Sequence, residues 1–146
     1  MVPLIVLIFS YLVFRLSGPV IPYFTHWQYA LRAALGVMFL FTASAHWGKL
    51  RPDLIRMVPS AFGNAGTWVT LTGIAEILIA AGLQLRPIAT AVAAAAVILL
   101  ICLLPANIKA AHERLTIGDR PVPGIGVRIA IQVIFLTALV ISVWPR

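Results

Sequence analysis

Glu76 is the first candidate for chemistry, because it is an acid near the middle of the long apolar stretch 67–85. A charged side chain at the centre of a bilayer costs roughly 2.5 to 3.5 kcal/mol on insertion scales, so it rarely faces lipid. Low dielectric favours the protonated form unless Arg32 pairs with it, and either form can bind a polar ligand head or pass a proton. The structural alternative is a hydrogen bond to Thr72 or Gln132, but intramembrane acids are functional by default.

Further polar residues lie at related depths along the neighbouring apolar stretches. A rise of 1.5 Å per residue puts Glu76 roughly 13 Å from the end of its stretch, Gln132 at roughly 8 Å and Thr42 at about 6 Å. Arg32 approaches from the opposite end. We expect these side chains to form a column around a polar pocket that opens toward the cytoplasm. The predicted ligand-binding residues are Glu76, His46, Arg32, Asn107, Gln132 and Thr42.

Three of these residues also have structural interpretations. Arg32 is placed to anchor a helix at the membrane interface, and a histidine beside a tryptophan, as at His46, is common at helix ends. Asn107 follows Pro105 closely and is able to cap a broken helix end. Both interpretations stay open for each residue at this point.

Several catalytic and metal-binding classes lack their motifs. No Gly-rich phosphate loop, nucleophile elbow or HExxH sequence occurs, so no catalytic residue is predicted. Haem ligation by His46 lacks a second axial histidine at matching depth, and His26 belongs to the opposite side from His46 and His112, so no metal site is predicted. The single cysteine, Cys102, cannot form an internal disulfide, and its apolar surroundings predict a small buried side chain.

The composition indicates an integral membrane protein with a single domain, residues 1–146. Hydrophobic residues make up 62% and charged residues 10% of the chain, against roughly 45–50% and 25% in soluble domains. The net charge is +7, but the eleven Lys and Arg residues are scattered at the ends of apolar runs. That pattern is typical of contacts with lipid headgroups and lacks the basic stripe of a nucleic-acid-binding protein. We expect membrane lipids as partners, no nucleic acid, and a multi-pass location in a cell membrane, most simply the bacterial cytoplasmic membrane.

Five apolar segments must position these residues. Segments of about 18 to 20 residues match the thickness of a bilayer core. The predicted core spans are 27–47, 67–85, 88–104 and 127–144, and the weaker N-terminal helix is 1–17. We therefore predict an all-α integral membrane bundle of four core transmembrane helices plus that N-terminal helix. The alanine-rich span 88–104 is expected to be the most enclosed and to stop at Pro105.

The basic residues also predict the orientation. The long connections, with the start of the last span, carry seven: Lys49, Arg51, Arg56, Lys109, Arg114, Arg120 and Arg128. The opposite side carries four: Arg15, Arg32, Arg86 and Arg146. The positive-inside rule then places the connections 48–66 and 108–126 and the N-terminus in the cytoplasm, and the C-terminus outside.

A series of short motifs runs through residues 29 to 112. It comprises Arg32, Gly36, Phe39, His46-Trp47, Met57-Val58-Pro59, Leu71-Thr72-Gly73-Ile74-Ala75-Glu76-Ile77, Gly82-Leu83, Arg86, Ala89 and Leu104-Pro105-Ala106-Asn107-Ile108. In order and spacing this series resembles the DoxX-like membrane proteins. The resemblance implies a four-helix bundle to which 1–17 is an addition. The residues that match the family pattern are Arg32, His46, Pro59, Gly73, Glu76, Pro105 and Asn107.

DoxX-like proteins are functionally mixed. They include a subunit linked by name to a thiosulfate:quinone oxidoreductase, proteins tied to membrane redox or detoxification systems, and eukaryotic cargo receptors or chaperones. We therefore expect an accessory or binding subunit of a quinone-linked redox system, with a quinone or lipid as ligand, other redox subunits as partners and self-association into an oligomer. The alternatives are a small proton-coupled transporter or exporter with Glu76 as its protonated group, and a chaperone-like protein that binds other membrane helices. An intrinsic enzyme is the least supported class.

Overall fold

The computed structural model of the protein describes residues 1–145, so Arg146, counted above among the basic residues of the outer side, lies outside the described residues. The helices are α1 (Val2–Leu16), α2 (Trp27–Ser44), α3 (Arg51–Met57), α4 (Ala65–Gly82), α5 (Ala89–Cys102), α6 (Leu104–His112) and α7 (Ile125–Ser142). Two 3₁₀ turns lie at Pro22–Thr25 and Ser60–Phe62, and two-residue strands, β1 (Thr116–Ile117) and β2 (Arg120–Pro121), pair antiparallel. The predicted helical fold is thus confirmed, with one small strand pair added to it.

Three helices are long and apolar enough to cross a membrane: α4, α7 and the continuous stretch Ala89–His112 that contains α5 and α6. Helix α2 was also predicted to be a span, but it is not among the three, and its first turns carry the polar residues Gln28 and Arg32. Helix α1 is apolar and has 15 residues. The chain therefore has the helices of a membrane protein.

Helices α2, α4, α5 and α7 form a ring in which each helix contacts its two neighbours. Helix α1 packs along α2, where Leu7 joins the hydrophobic core. Small residues let the ring helices approach closely, because a Cβ on Gly36 of α2 would lie only 3.2 Å from the carbonyl oxygen of Ala80 on α4. The largest apolar side chains buried at the centre are Phe39, Leu35, Met38, Leu83 and Leu139.

One face of α4 carries Glu76 into this ring. Four buried residues at i, i+4, i+7 and i+11 line that face of the helix: Val69, Gly73, Glu76 and Ala80. The helix begins at Ala65, two residues before the predicted span, because the Asn64 side chain caps it by accepting a hydrogen bond from the Thr67 N–H. The Asn64 cap therefore accounts for the start of the helix, and the buried face that packs against the ring includes the acid.

The alanine-rich span is not the most enclosed helix, and that prediction was wrong. Only 17% of the Ala89–His112 span is buried, against 33% of α4. Its buried alanines recur on one face, at Ala89, Ala93 and Ala96, whereas Ile98 and Cys102 point away from the ring and are exposed. The prediction of a buried cysteine was also wrong, since Cys102 lies on that outward face.

Helix α5 ends at Cys102, close to the predicted stop at Pro105, but a further helix follows it. Helix α6 begins at Leu104, after the single residue Leu103, and Pro105 lies in its first turn. A proline is tolerated there because the first backbone N–H groups of a helix have no intrahelical acceptor. The residues after Pro105 are therefore helical as far as His112.

The two long connections pack together at one end of the bundle. Lys109 of α6 donates hydrogen bonds to the carbonyl oxygens of Arg56 (2.8 Å) and Val58 (3.0 Å) at the end of α3. The N–H of Gly118, between β1 and β2, donates to Asp53 of α3 at 2.8 Å. This hydrogen bond, and the Arg56 guanidinium beside it, lower the pKa of Asp53 below its usual value. We call α3, α6 and the strand pair the cap.

Candidate functional site

His46 and Glu76 form a buried pair between α2 and α4. His46 lies just after the end of α2, and its Nε2 atom is 3.5 Å from the Oε2 atom of Glu76. Their side chains are only 9% and 7% exposed. Over residues 1–145, Glu76 Oε2 receives no hydrogen bond, and His46 is the single basic side chain with a nitrogen within 4.0 Å of the carboxyl group. Hydrogen bonds from Thr72 or Gln132 to Glu76, the structural alternative, are not formed.

The two ring nitrogens of His46 face different groups. His46 Nδ1 lies 2.6 Å from the carbonyl oxygen of Val69, which can only accept a hydrogen bond, so Nδ1 carries a hydrogen. Nε2 faces Glu76 Oε2 at 3.5 Å, a distance longer than an ordinary N–H···O hydrogen bond. The imidazole is therefore attached to α4 through Val69 and presents Nε2 to the carboxyl group.

A glycine makes the close approach of this pair possible. A Cβ on Gly73 would lie 2.7 Å from His46 Cβ, 2.8 Å from His46 Cγ and 2.8 Å from Trp47 Cη2. Any larger residue would therefore push the imidazole away from α4. Trp47 covers the same position and is 49% exposed, so the pair adjoins the protein surface through this indole.

Arg51 holds the histidine end of the site, and the sequence analysis did not select it. Its guanidinium donates to the His46 carbonyl oxygen at 2.7 Å, to the Gly66 carbonyl oxygen at 3.0 Å and to Thr70 Oγ1 at 2.9 Å. The sequence feature that could have indicated this role is the position of Arg51 shortly after a helix end, where basic side chains often donate hydrogen bonds to the last free carbonyl oxygens. Arg51 thereby ties the end of α2 to the first turns of α4.

Asn107 and Gln132 lie in a second polar cluster, between α5, α6 and α7. Gln132 Nε2 donates to the Leu100 carbonyl oxygen at 2.5 Å, and its Oε1 accepts from Asn107 Nδ2 at 3.3 Å. Arg128 donates to Asn107 Oδ1 at 2.5 Å. These bonds tie the last turn of α5 to its neighbours, and none of them reaches Glu76.

Arg32 lies near the opposite end of α2 and is not a partner of Glu76 within the described residues. Its Nε donates to the Ser142 carbonyl oxygen at 2.9 Å, and Gln28 Nε2 donates to the Trp144 carbonyl oxygen at 2.8 Å. Both side chains therefore satisfy free carbonyls at the end of α7. Gln28 was not singled out from the sequence, since its role depends on a helix more than 110 residues away.

Thr42 and two surface grooves do not form a pocket around Glu76. Thr42 Oγ1 donates to the Phe39 carbonyl oxygen of its own helix at 3.0 Å. One groove of about 520 Å³ is lined by Trp27, Gln28, Ile141, Trp144 and Pro145. Another of about 410 Å³ is lined by Arg51, Asn64, Gly66, Thr67, Thr70 and Leu71. Glu76 lines neither groove. The structure therefore joins Glu76 to His46 and Asn107 to Gln132, and it places Arg32 and Thr42 in separate contacts.

Comparisons with known proteins bear on the family of this chain. No curated protein and no solved structure matches it significantly. A protein family described as a domain of unknown function, DUF8561, matches residues 35–144, a range that includes the His46–Glu76 pair and the Asn107–Gln132 cluster. Because this match covers about three quarters of the 146 residues, the chain belongs to the DUF8561 family.

Proposed function

We propose that this protein is an accessory subunit of a quinone-linked redox system in the cell membrane, and that it binds the polar head of an amphipathic molecule at His46 and Glu76. The observation that carries the proposal is the buried pair, in which an imidazole nitrogen and a carboxyl oxygen face each other 3.5 Å apart. Reduction of a quinone to a quinol takes two electrons and two protons. The electrons would come from redox centres in partner subunits. One proton would pass between the His46–Glu76 pair and one quinone oxygen, and water would supply or accept the second proton at the other quinone oxygen.

The architecture of this proposal has four core spans, with α2 as the fourth, and α1 as the additional helix. The ring of α2, α4, α5 and α7 supports it, as does the DoxX-like series of motifs, to which both His46 and Glu76 belong. In this arrangement the cap faces the cytoplasm of a bacterial cell. Trp47 would be the entry point for the ligand, because it lies against the pair and is partly exposed.

Binding of a short-chain quinone to the purified protein in lipid nanodiscs tests the proposal. Quinones quench tryptophan fluorescence, and Trp47 lies beside the pair with its ring centre 6.1 Å from that of His46. We expect saturable quenching of tryptophan fluorescence in the wild type. Quinone binding should be about tenfold weaker in Glu76→Gln, since a hydrogen bond to a charged group is worth roughly 1.5 kcal/mol. Glu113→Gln is the matched control, because Glu113 is exposed and lies after α6.

Two outcomes would refute this function. One is the absence of saturable quenching in the wild type. The other is equal quinone affinity in the wild type, Glu76→Gln and His46→Asn.

A proton-coupled transporter is the second candidate, and the enclosure of the pair favours it. Glu76 is 5% exposed and is separate from both described grooves, as a proton-carrying site is when it is closed to both sides. Liposomes that contain the protein and a pH-sensitive dye would show proton flux in the wild type. Flux that continues at the same rate in Glu76→Gln would remove this candidate.

A further inference from the structure

Two arginines share one tyrosine ring at the end of the bundle opposite the cap. The guanidinium carbon of Arg86 lies 4.5 Å from the centre of the Tyr29 ring, and that of Arg32 lies 5.2 Å from it. Tyr23 stacks on Tyr29 with ring centres 4.7 Å apart, and Arg86 also lies 5.7 Å from the Tyr23 ring. Stacking on aromatic rings fixes the planes of these guanidinium groups.

A third arginine is attached to the same turn. Arg15, at the end of α1, donates to the carbonyl oxygens of Phe24 (3.1 Å) and Thr25 (3.0 Å). Phe24 contacts Tyr23 with ring centres 5.3 Å apart. All three arginines therefore contact residues of the segment 23–29. We call Arg15, Arg32 and Arg86 the arginine cluster.

The arginine cluster has no acidic partner among residues 1–145. The four acidic residues of the chain are Asp53, Glu76, Glu113 and Asp119. Glu76 pairs with His46, and Asp53 pairs with Arg56 in the cap. Arg86 is exposed, and its guanidinium group contacts two rings but makes no hydrogen bond to a described residue, so its donors are available to a ligand. This end of the bundle therefore carries positive charge and unused donors together.

The surroundings of the arginine cluster are apolar and exposed. Leu16 is 79% exposed, Val20 84% and Leu85 55%. Aromatic rings beside exposed apolar residues are typical of the boundary between lipid headgroups and acyl chains. A guanidinium group binds phosphate oxygens in a bidentate manner, and a phospholipid is the phosphate compound that also supplies an apolar chain.

We infer that the arginine cluster binds the phosphate group of an anionic phospholipid, whose acyl chain lies along Leu16, Val20 and Leu85. Arg86 supplies the hydrogen-bond donors, and Arg32 and Arg15 supply the positive potential around them. This lipid site is independent of the His46–Glu76 pair and of the function proposed for it.

Retention of lipid by the purified protein tests the inference. The protein is taken from nanodiscs of equal phosphatidylglycerol and phosphatidylcholine into a neutral detergent, and the lipids that stay bound are counted by native mass spectrometry. We expect preferential retention of phosphatidylglycerol, reduced about fivefold in Arg86→Gln, since one basic residue near a membrane surface contributes about 1 kcal/mol to anionic lipid binding. Arg120→Gln is the matched control, because Arg120 is exposed on β2, in the cap.

Arg86→Gln should fold like the wild type because its side chain makes no hydrogen bond to the described part of the protein, and the thermal unfolding midpoint checks this. If that variant unfolds early, Arg86→Lys replaces it, with a loss of retention from the missing bidentate contact. Equal retention of the two lipids by the wild type would overturn the inference. So would an unchanged preference in a folded Arg86 variant, an equal loss in Arg120→Gln, or displacement of the lipid by inorganic phosphate at constant ionic strength.

Discussion

At the scale of single residues, the site depends on one hydrogen bond and one missing side chain. The carbonyl oxygen of Val69 fixes the hydrogen on His46 Nδ1, which leaves Nε2 facing Glu76. Gly73 provides the space that brings the imidazole against α4. The packing at Gly73 therefore determines how closely His46 approaches the Glu76 carboxyl group.

Gly73→Ala should destabilise the protein and separate the pair. The new methyl group would lie within 2.8 Å of His46 and Trp47 atoms, and overpacking of this kind costs typically about 1–3 kcal/mol. We expect a lower thermal unfolding midpoint together with weaker quinone quenching. Gly126→Ala is the control, since nothing lies within 4 Å of its added Cβ. Equal midpoints for the two variants would contradict the packing described for Gly73.

The sequence predicted the residues of the pair but not their direct contact. Depth along a helix placed Glu76 inside the bilayer and His46 at its boundary, roughly 13 Å apart by helix rise alone. The structure reduces that separation because His46 turns back from the end of α2 toward the buried face of α4. The partner of each side chain depends on the direction in which it points from its helix axis. Depth along the helix does not specify that direction, so it did not predict the partners of Arg32 or Asn107.

At the scale of elements, caps and short contacts set where each helix lies. Asn64 starts α4 earlier than hydropathy indicated, and Pro105 starts α6 where a break was expected. Both residues follow known local rules, so the sequence contained these signals. The exposure of α5 did not follow from its alanine content, because alanine suits a helix contact on one face without requiring burial of the others.

The contact between Asp53 and Gly118 predicts a pH response of the cap. The pKa of Asp53 is lowered in the folded protein, so its stabilising bond is fully present above the ordinary value of 3.8 and is lost as pH falls through the lowered value. We expect the amide proton of Gly118 to shift in NMR spectra with a midpoint below 3.8. Asp53→Asn should abolish this transition, whereas Glu113→Gln should keep it. A midpoint at or above 3.8 would contradict the hydrogen bond.

At the scale of the whole molecule, the ring of four helices separates two different ends. The cap joins the long connections at one end, and the arginine cluster surrounds the α1–α2 turn at the other. Hydropathy predicted the helices and the membrane setting, and three helices meet the requirements of a span. The crossing of α2 depends on where its polar first turns lie relative to the headgroups, which composition alone does not specify.

Labelling of single cysteines determines whether α2 crosses the membrane. In a Cys102→Ser background, we expect Thr25→Cys to react with an impermeant maleimide added outside intact cells, because Thr25 is exposed in the turn between α1 and α2. Arg120→Cys should react only after the membrane is permeabilised, because α2, α4 and α5 lie between the two positions. Reaction of both cysteines from the same side would show that α2 does not cross, and would contradict the four-span architecture.

The central claim is that the Glu76 carboxyl group faces His46 in a buried space between α2 and α4 that water does not reach. Its most direct test is carbodiimide labelling in lipid nanodiscs, read by mass spectrometry of peptides, since a carbodiimide adds to a protonated carboxyl group. We predict that membrane-soluble dicyclohexylcarbodiimide modifies Glu76, more strongly in His46→Leu, and that a water-soluble carbodiimide modifies Glu113 but not Glu76. Modification of Glu76 by the water-soluble reagent, or by neither reagent in any variant, would contradict the account.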